Sequence, residues 1–181
     1  MRPHPASGFT LPELAAVVAI IGILAAIAGA VANGAVHAAR AADARAALLD
    51  TYQSAIRHAA TRGVHVVACP IDGTGCADTV HWNAGWLLFE DRDGDRQRGG
   101  SERIVHIWPP LGAGVGLAST AGRKRLLFQP SGGNAGSNVT FTVCDARGPA
   151  EAMQLVIAND GRLRESPASG EAAATACAGA S

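Results

Sequence analysis

Aromatic side chains are scarce in this chain: four Phe, three Trp and one Tyr among 181 residues. With 22 Gly and abundant Ala, this composition points to a helix of small residues and to many turns. Net charge is also missing, because 15 Lys and Arg offset 15 Asp and Glu. No global field therefore draws the protein to nucleic acid or to an anionic membrane, and any such binding must come from a local patch. No CxxC occurs, and the spacing of Cys69 and Cys76 is not that of a zinc pair. His58, His65, His81 and His106 show no metal-ligand spacing, and no serine lies in a nucleophile elbow. A catalytic set is absent, and the sequence does not read as an enzyme or as a holder of a cofactor or resident metal.

What is present is concentrated at the N-terminus. From Leu14 to Ala32 every residue is Ala, Val, Ile, Leu or Gly, nineteen in all. As a helix that run crosses a hydrocarbon core of about 30 Å. Ahead of it stands "GFTLPEL" (8–14), with one acid, Glu13, at the edge of the apolar run. A carboxylate there is costly in lipid unless partnered. Position in the first helical turn supplies a mild motive, since an acid complements the helix dipole. Pro12 is tolerated because first-turn amides have no intrahelical acceptor to lose. A general secretory signal places its small-residue cleavage site after the apolar region. Here the order is reversed, with Gly8 in front.

Beyond the run, Ala35 to Arg62 is Ala-rich, and Leu48, Leu49, Tyr52, Ile56 and Ala59 are spaced for one apolar stripe. Gly63 reads as the stop. Then come short runs between Gly, Pro, Asp and Asn clusters: 64–69, 85–90, 103–108, 125–130, 138–145 and 153–158. Each predicts a strand, and "NDG" (159–161) followed by "RLRES" predicts a tight hairpin and a last strand. The fold class expected is α+β, a long helix packed on an antiparallel sheet. Trp82, Trp86 and Trp108 are expected inside the head. The tail, about 166–181, is low in complexity and expected to be loose except where Cys177 ties it down. With four cysteines, all beyond the apolar run, two disulfides are expected. Cys69–Cys76 would close a short loop, and Cys144–Cys177 would pin the tail to a core strand.

Gly8, Phe9, Thr10, Leu11 and Glu13, followed by the run from Leu14, resemble the class III leader of type IV pilins and pseudopilins. The "ACP" at 68–70, "WNAGWLLFED" at 82–91 and "NDGRLR" at 159–164 narrow the resemblance to the FimT/GspH family of minor pilins and pseudopilins. It implies the pilin fold and cleavage between Gly8 and Phe9 by a prepilin peptidase, with methylation of the new amine on Phe9. Residues 1–8 would then be the leader, 9–34 the membrane and filament helix, and 35–181 the periplasmic or extracellular head. Glu13 would be the assembly acid, meeting the Phe9 amine of a neighbouring subunit as the filament forms. The implied partners are other pilins, the peptidase and the bacterial inner membrane, crossed once before the protein enters a filament at the cell surface.

Within that family, Gly-Arg-x-Arg near the C-terminus resembles the FimT branch, linked to DNA binding during uptake; Gly161, Arg162, Leu163 and Arg164 match it. In a strand, Arg162 and Arg164 share one face, roughly 6 to 7 Å apart, while Leu163 points the other way, into the head. Two guanidiniums in a row can fork onto successive phosphates without reading a base. Arg123, Lys124 and Arg125 are expected to extend this patch. A GspH-like pseudopilin of type II secretion, or a pilus-priming subunit without DNA binding, is the alternative; there the charges would only guard a strand edge. Finally, Asp91, Asp93, Asp95 and Glu102 fall at positions 1, 3, 5 and 12 of an EF-hand-like loop. Arg96 replaces the glycine at position 6, Arg92, Arg96 and Arg98 would repel a dication, and strands rather than helices flank the loop. The stretch is accordingly read as a solvated loop.

Overall fold

The computed structural model describes residues 10–134, 138–159 and 161–180. Gly8 and Phe9, and with them the expected cleavage bond, lie outside the described residues, as does Asp160 of the hairpin. The chain divides into two compact units, one up to Val36 and one from His37. A single helix, α1 (Leu11–Arg62), contributes to both.

In the first unit the Thr10 carbonyl accepts the amides of Glu13 and Leu14 at 3.1 Å, which opens α1 and places Glu13 in its first turn. Leu14, Val17, Ile20, Ile21, Leu24, Ile27 and Val31 are all exposed. This half is long and apolar enough to cross a membrane.

The second unit is the head. Along α1 the buried stripe is Ala41, Ala44, Leu48, Tyr52, Ala55 and Ala59, at steps of three and four. Most of these are alanines, and Leu49 and Ile56 are only partly buried beside them. Small side chains let the strands approach the helix closely. Thr51, buried on the same face, takes the Trp86 indole N–H on its Oγ1 at 2.8 Å. Gly63 (φ 66°) ends the helix, its amide bonded to the Ala59 carbonyl.

The strands are β1 (His65–Asp72), β2 (Gly75–Cys76), β3 (Trp86–Asp91), β4 (Ile104–Trp108), β5 (Val115–Ser119), β6 (Leu126–Phe128), β7 (Val139–Asp145), β8 (Met153–Ile157) and β9 (Leu163–Pro167). One sheet runs β2-β1-β3-β4, with β6 also paired to β1; the other runs β5-β7-β8-β9. All pairings are antiparallel. One core joins the α1 stripe to both sheets, with Trp82, Trp86, Leu88, Leu117, Phe128, Phe141 and Leu155 at its centre. Trp108 is buried beside Trp86, their rings stacked at 5.9 Å. The α+β class and the pilin fold expected above are what the structure has.

Three details depart from expectation. The run at 125–130 yields only a three-residue strand, so Arg125 stays outside it. A strand not anticipated, β5, occupies the Gly- and Ala-rich stretch 115–119 and is fully buried. The tail is not loose: Gly170–Ala178 forms a helix, α2, with Ala173 and Ala176 buried against Ala118, Cys144 and Ala152. The disulfides are Cys69–Cys76 and Cys144–Cys177, with Cα–Cα distances of 5.5 and 5.0 Å. The second links α2 to β7.

Glu90 on β3 is wholly buried yet ionised. Its carboxylate accepts Arg92 Nη2 at 2.6 Å and Nε at 3.1 Å, and His58 Nε2 lies 3.0 Å away, with Arg62 at 3.9 Å. The hydrogen bonds from Arg92, then from His58, outweigh desolvation and hold its pKa down at about 2. His58 and Arg62 belong to the end of α1, so this carboxylate ties the helix to the first sheet.

Candidate nucleic-acid interface

The second sheet has two unlike faces. Val139, Phe141 and Val143 of β7 and Leu155 and Ile157 of β8 point at the core. Their alternates, Thr140, Thr142, Gln154 and Val156, point outward, as period-two alternation requires. α2 covers one end of that outer face, where Cys144 and Ala118 lie buried. The other end is open.

There the register places Thr140 opposite Val156 and Val156 opposite Arg164, so these three side chains form one row across β7, β8 and β9. The row floors an open groove of about 580 Å³, whose walls include Arg123, Asn138 and Asn159. Arg123 Nη2 donates to Asn138 Oδ1 at 2.8 Å, and Asn159 Oδ1 accepts the Asn138 amide at 3.0 Å. Thr120 Oγ1 accepts the Thr140 amide at 2.9 Å, holding the 120–123 loop against β7. Among the described residues lining the groove, none is acidic. Two guanidiniums beside an open groove of mixed polar and apolar lining suit an extended polyanion.

The expected basic residues do not all converge. Arg164 and Arg123 line the same groove, although 41 positions separate them in sequence. Arg162 precedes β9; its carbonyl accepts the Ala158 amide at 3.0 Å, which continues the β8–β9 ladder through the turn. Its side chain is exposed but does not line the groove. Lys124 and Arg125 line an adjoining depression with Asp95, Arg96 and Gln97, and Gly122 and Arg123 line both it and the groove. Lys124 Nζ is 2.8 Å from Asp78 Oδ2, and Arg125 Nη1 is 3.6 Å from Oδ1. The Lys124 hydrogen bond, before its charge, lowers the Asp78 pKa. Arg125 also donates to Gln97 Oε1 at 2.8 Å. Both cations pair with Asp78 and do not line the groove itself, to which Arg123 connects them.

Gly161 makes the turn. Its φ of 78° favours glycine, its carbonyl accepts the Tyr52 hydroxyl at 3.3 Å, and a Cβ there would sit 2.9 Å from that hydroxyl. Leu163 is a second correction. It lies on the inward face, opposite Ile157, but β9 is the edge strand, and Leu163 remains 37% exposed. Glu165, next on that face, meets Arg45 of α1 at 3.6 Å. All three Trp are buried, so none offers an exposed stacking surface. The sequence marks Asn138 and Thr140 only as a glycosylation sequon and Asn159 only as a hairpin residue, and gives none of them a part in the basic site. The alternation in "NVTFT" carried the signal for the first two.

A helix stripe buried against antiparallel sheets, continuing an exposed apolar N-terminal half, defines a pilin-type subunit. The model of the family described as type II transport protein GspH matches residues 44–161, well over half of the chain. That of the prokaryotic N-terminal methylation motif matches residues 4–29. The chain belongs to the GspH family of minor pilins and pseudopilins, and it carries the methylation motif. Among solved structures, the type IV minor pilin FimU of Pseudomonas aeruginosa PAO1 is similar in one crystal form with a TM-score of 0.54 at 16% identity, over 72% of this chain and 88% of that one. A second crystal form of FimU gives 0.48 at 16% identity, over 71% and 91%. At this identity the likeness is one of fold. No curated protein matches the chain significantly. Membership makes the protein a structural subunit rather than an enzyme. The methylation motif implies processing by prepilin peptidase and assembly with other pilins, from the inner membrane into a pilus or secretion filament.

Proposed function

We propose that this subunit is a FimT-like minor pilin that enters a type IV pilus and binds DNA through its phosphates for uptake in natural transformation. The observation that carries the reading is the groove in which Arg164 of the GRLR motif meets Arg123 without a lining acid among the described residues. Maturation by cleavage between Gly8 and Phe9 and pairing of Glu13 with a neighbour's Phe9 amine belong to the same proposal, as does the division into leader 1–8, helix 9–34 and head 35–181.

Recognition is non-specific, because guanidiniums and backbone-spanning Asn and Thr side chains address phosphate and sugar. With two to four phosphate contacts, the slope of log affinity against log salt is about −2 to −4, and single-subunit affinity falls at about 10⁻⁴ to 10⁻⁶ M. A filament gains from presenting several subunits. The test is a gel shift with the full chain in detergent. Replacing Arg162 and Arg164 by Gln keeps the strand and removes both charges, so binding collapses while the melting temperature barely moves. Adding Arg123→Gln removes what remains, whereas Lys124→Gln has a smaller effect because Asp78 already engages that cation. A double variant that shifts DNA as well as the wild type would leave the plain assembly subunit, of a pilus or of type II secretion, as the better account.

A further inference from the structure

The loop between β3 and β4, Asp91 to Glu102, reads from its sequence as a solvated loop, yet its acidic side chains are not all solvated. Its carboxylates converge: Asp91, Asp93 and Asp95 each offer one oxygen within 4.8 Å of the others. Asp93 and Asp95 are exposed, but Asp91 is only 2% exposed at the end of β3. Its Oδ1 accepts the Gly94 amide at 2.9 Å, while its Oδ2 is buried with no hydrogen-bond partner. A buried, unsatisfied carboxylate oxygen beside two more carboxylates is expensive. A bound cation would relieve both the lost hydration and the repulsion.

Two of the three arginines engage other partners: Arg92 turns to Glu90, and Arg98 Nη1 donates to the Thr74 carbonyl at 2.9 Å. Arg96 shares a depression with Asp95, so its charge stays near the cluster and weakens rather than abolishes cation binding. The missing glycine is not needed. Arg96 itself takes a φ of 60°, the one left-handed non-glycine among the described residues, so the sharp turn at the sixth position is made regardless. Flanking strands are no obstacle, since calcium's affinity depends on the oxygens in its sphere. Glu102, 7% exposed, braces the loop: its Oε1 accepts the Arg92 amide and its Oε2 the Gly99 amide, both at 2.8 Å.

We infer that this loop is a calcium site, with Asp91, Asp93 and Asp95 as side-chain ligands and water completing the sphere. An all-oxygen donor set selects a hard cation. A compliant loop favours calcium over magnesium, which demands near-ideal octahedral geometry. With Glu102 engaged by amides rather than bidentate on the metal, affinity falls in the weaker range of such loops, about 10⁻⁵ to 10⁻³ M.

The experiment is calorimetric titration of calcium chloride into the chelator-treated full chain in detergent, with thermal unfolding in parallel. One saturable site per chain and a rise in melting temperature with calcium are expected. Asp93→Asn with Asp95→Asn weakens binding at least about tenfold. It leaves the chelator-treated fold unchanged, because both side chains are exposed. No saturable uptake by the wild type up to about 10 mM calcium would overturn the site. So would wild-type affinity in the double variant. Equal stabilisation by magnesium would overturn the choice of calcium. None of these readouts involves DNA, so the site and the DNA-binding proposal stand or fall separately.

Discussion

Glu90 shows how a single charged residue can serve packing. It has no exposed surface, and Arg92, His58 and Arg62 surround its carboxylate. Its pKa is about 2 in the fold against an ordinary 4.5, so folding favours the ionised form. The stabilisation is therefore complete above about pH 4.5 and is lost as pH falls toward 2. Glu90→Gln removes the charge-assisted bonds and costs about 2 kcal/mol at neutral pH. It also flattens the acid limb of stability between those pH values. Denaturant unfolding of wild type and variant at pH 7 and pH 3 checks both: the gap between the two proteins should narrow in acid. A constant gap would mean that Glu90 acts by shape rather than by charge. Glu90 was invisible in the sequence, where "WLLFED" reads simply as a strand, because its partners His58 and Arg62 come from α1.

Among the elements, those legible in advance were the ones whose burial pattern is local. α1 announced itself by apolar spacing, although its core-facing stripe proved to be mostly Ala rather than Leu49 and Ile56. The flanks of β1, β3, β7 and β8 carried β-branched and aromatic runs bounded by turn residues. What was missed, β5 and α2, is one event seen twice. In β5, Gly116 has no side chain where the Ala176 carbonyl of α2 approaches; a Cβ there would collide with that carbonyl. On the α2 side β5 presents only Gly116 and Ala118, and α2 answers with Ala173 and Ala176; each segment looks structureless alone, yet they fit because the residues that meet are small. The pairing is closed by Cys144–Cys177. Gly116→Ala should force α2 off β5, costing about 1 to 3 kcal/mol. It should also open the C-terminal segment to proteolysis, while the disulfide keeps it attached. An unchanged melting temperature would show that α2 shifts without penalty. The groove was half legible: GRLR located Arg164, but only the β5–β7–β8–β9 register brought Arg123 and the Asn and Thr floor beside it.

For the molecule as a whole, the exposed apolar half of α1 is the feature that demands a partner. Leaving side chains such as Leu14, Ile20 and Leu24 in water is unfavourable by about 25 cal/mol per Å² of apolar surface, so lipid or neighbouring subunits must cover them. Removal of residues 1–8 takes away Arg2 and leaves 14 basic against 15 acidic groups, a formal charge of −1. In the proposed maturation it would also create an amine on Phe9, a cation that needs a counter-charge in or beside lipid. Glu13 stands in the first turn of α1, close in sequence to that new terminus. The proposed pairing would arise only after cleavage, so the two steps separate genetically. Glu13→Ala should be cut between Gly8 and Phe9 as the wild type is, giving the same N-terminal peptide by mass spectrometry. Yet its share in sheared filaments should fall well below that of the wild type, with the protein held in the membrane fraction. Normal incorporation of the variant would remove the charge-pairing role from Glu13 and leave apolar burial as the whole driving force for assembly. Loss of cleavage instead would make Glu13 a determinant of peptidase recognition, and the assembly argument would have to rest on another residue.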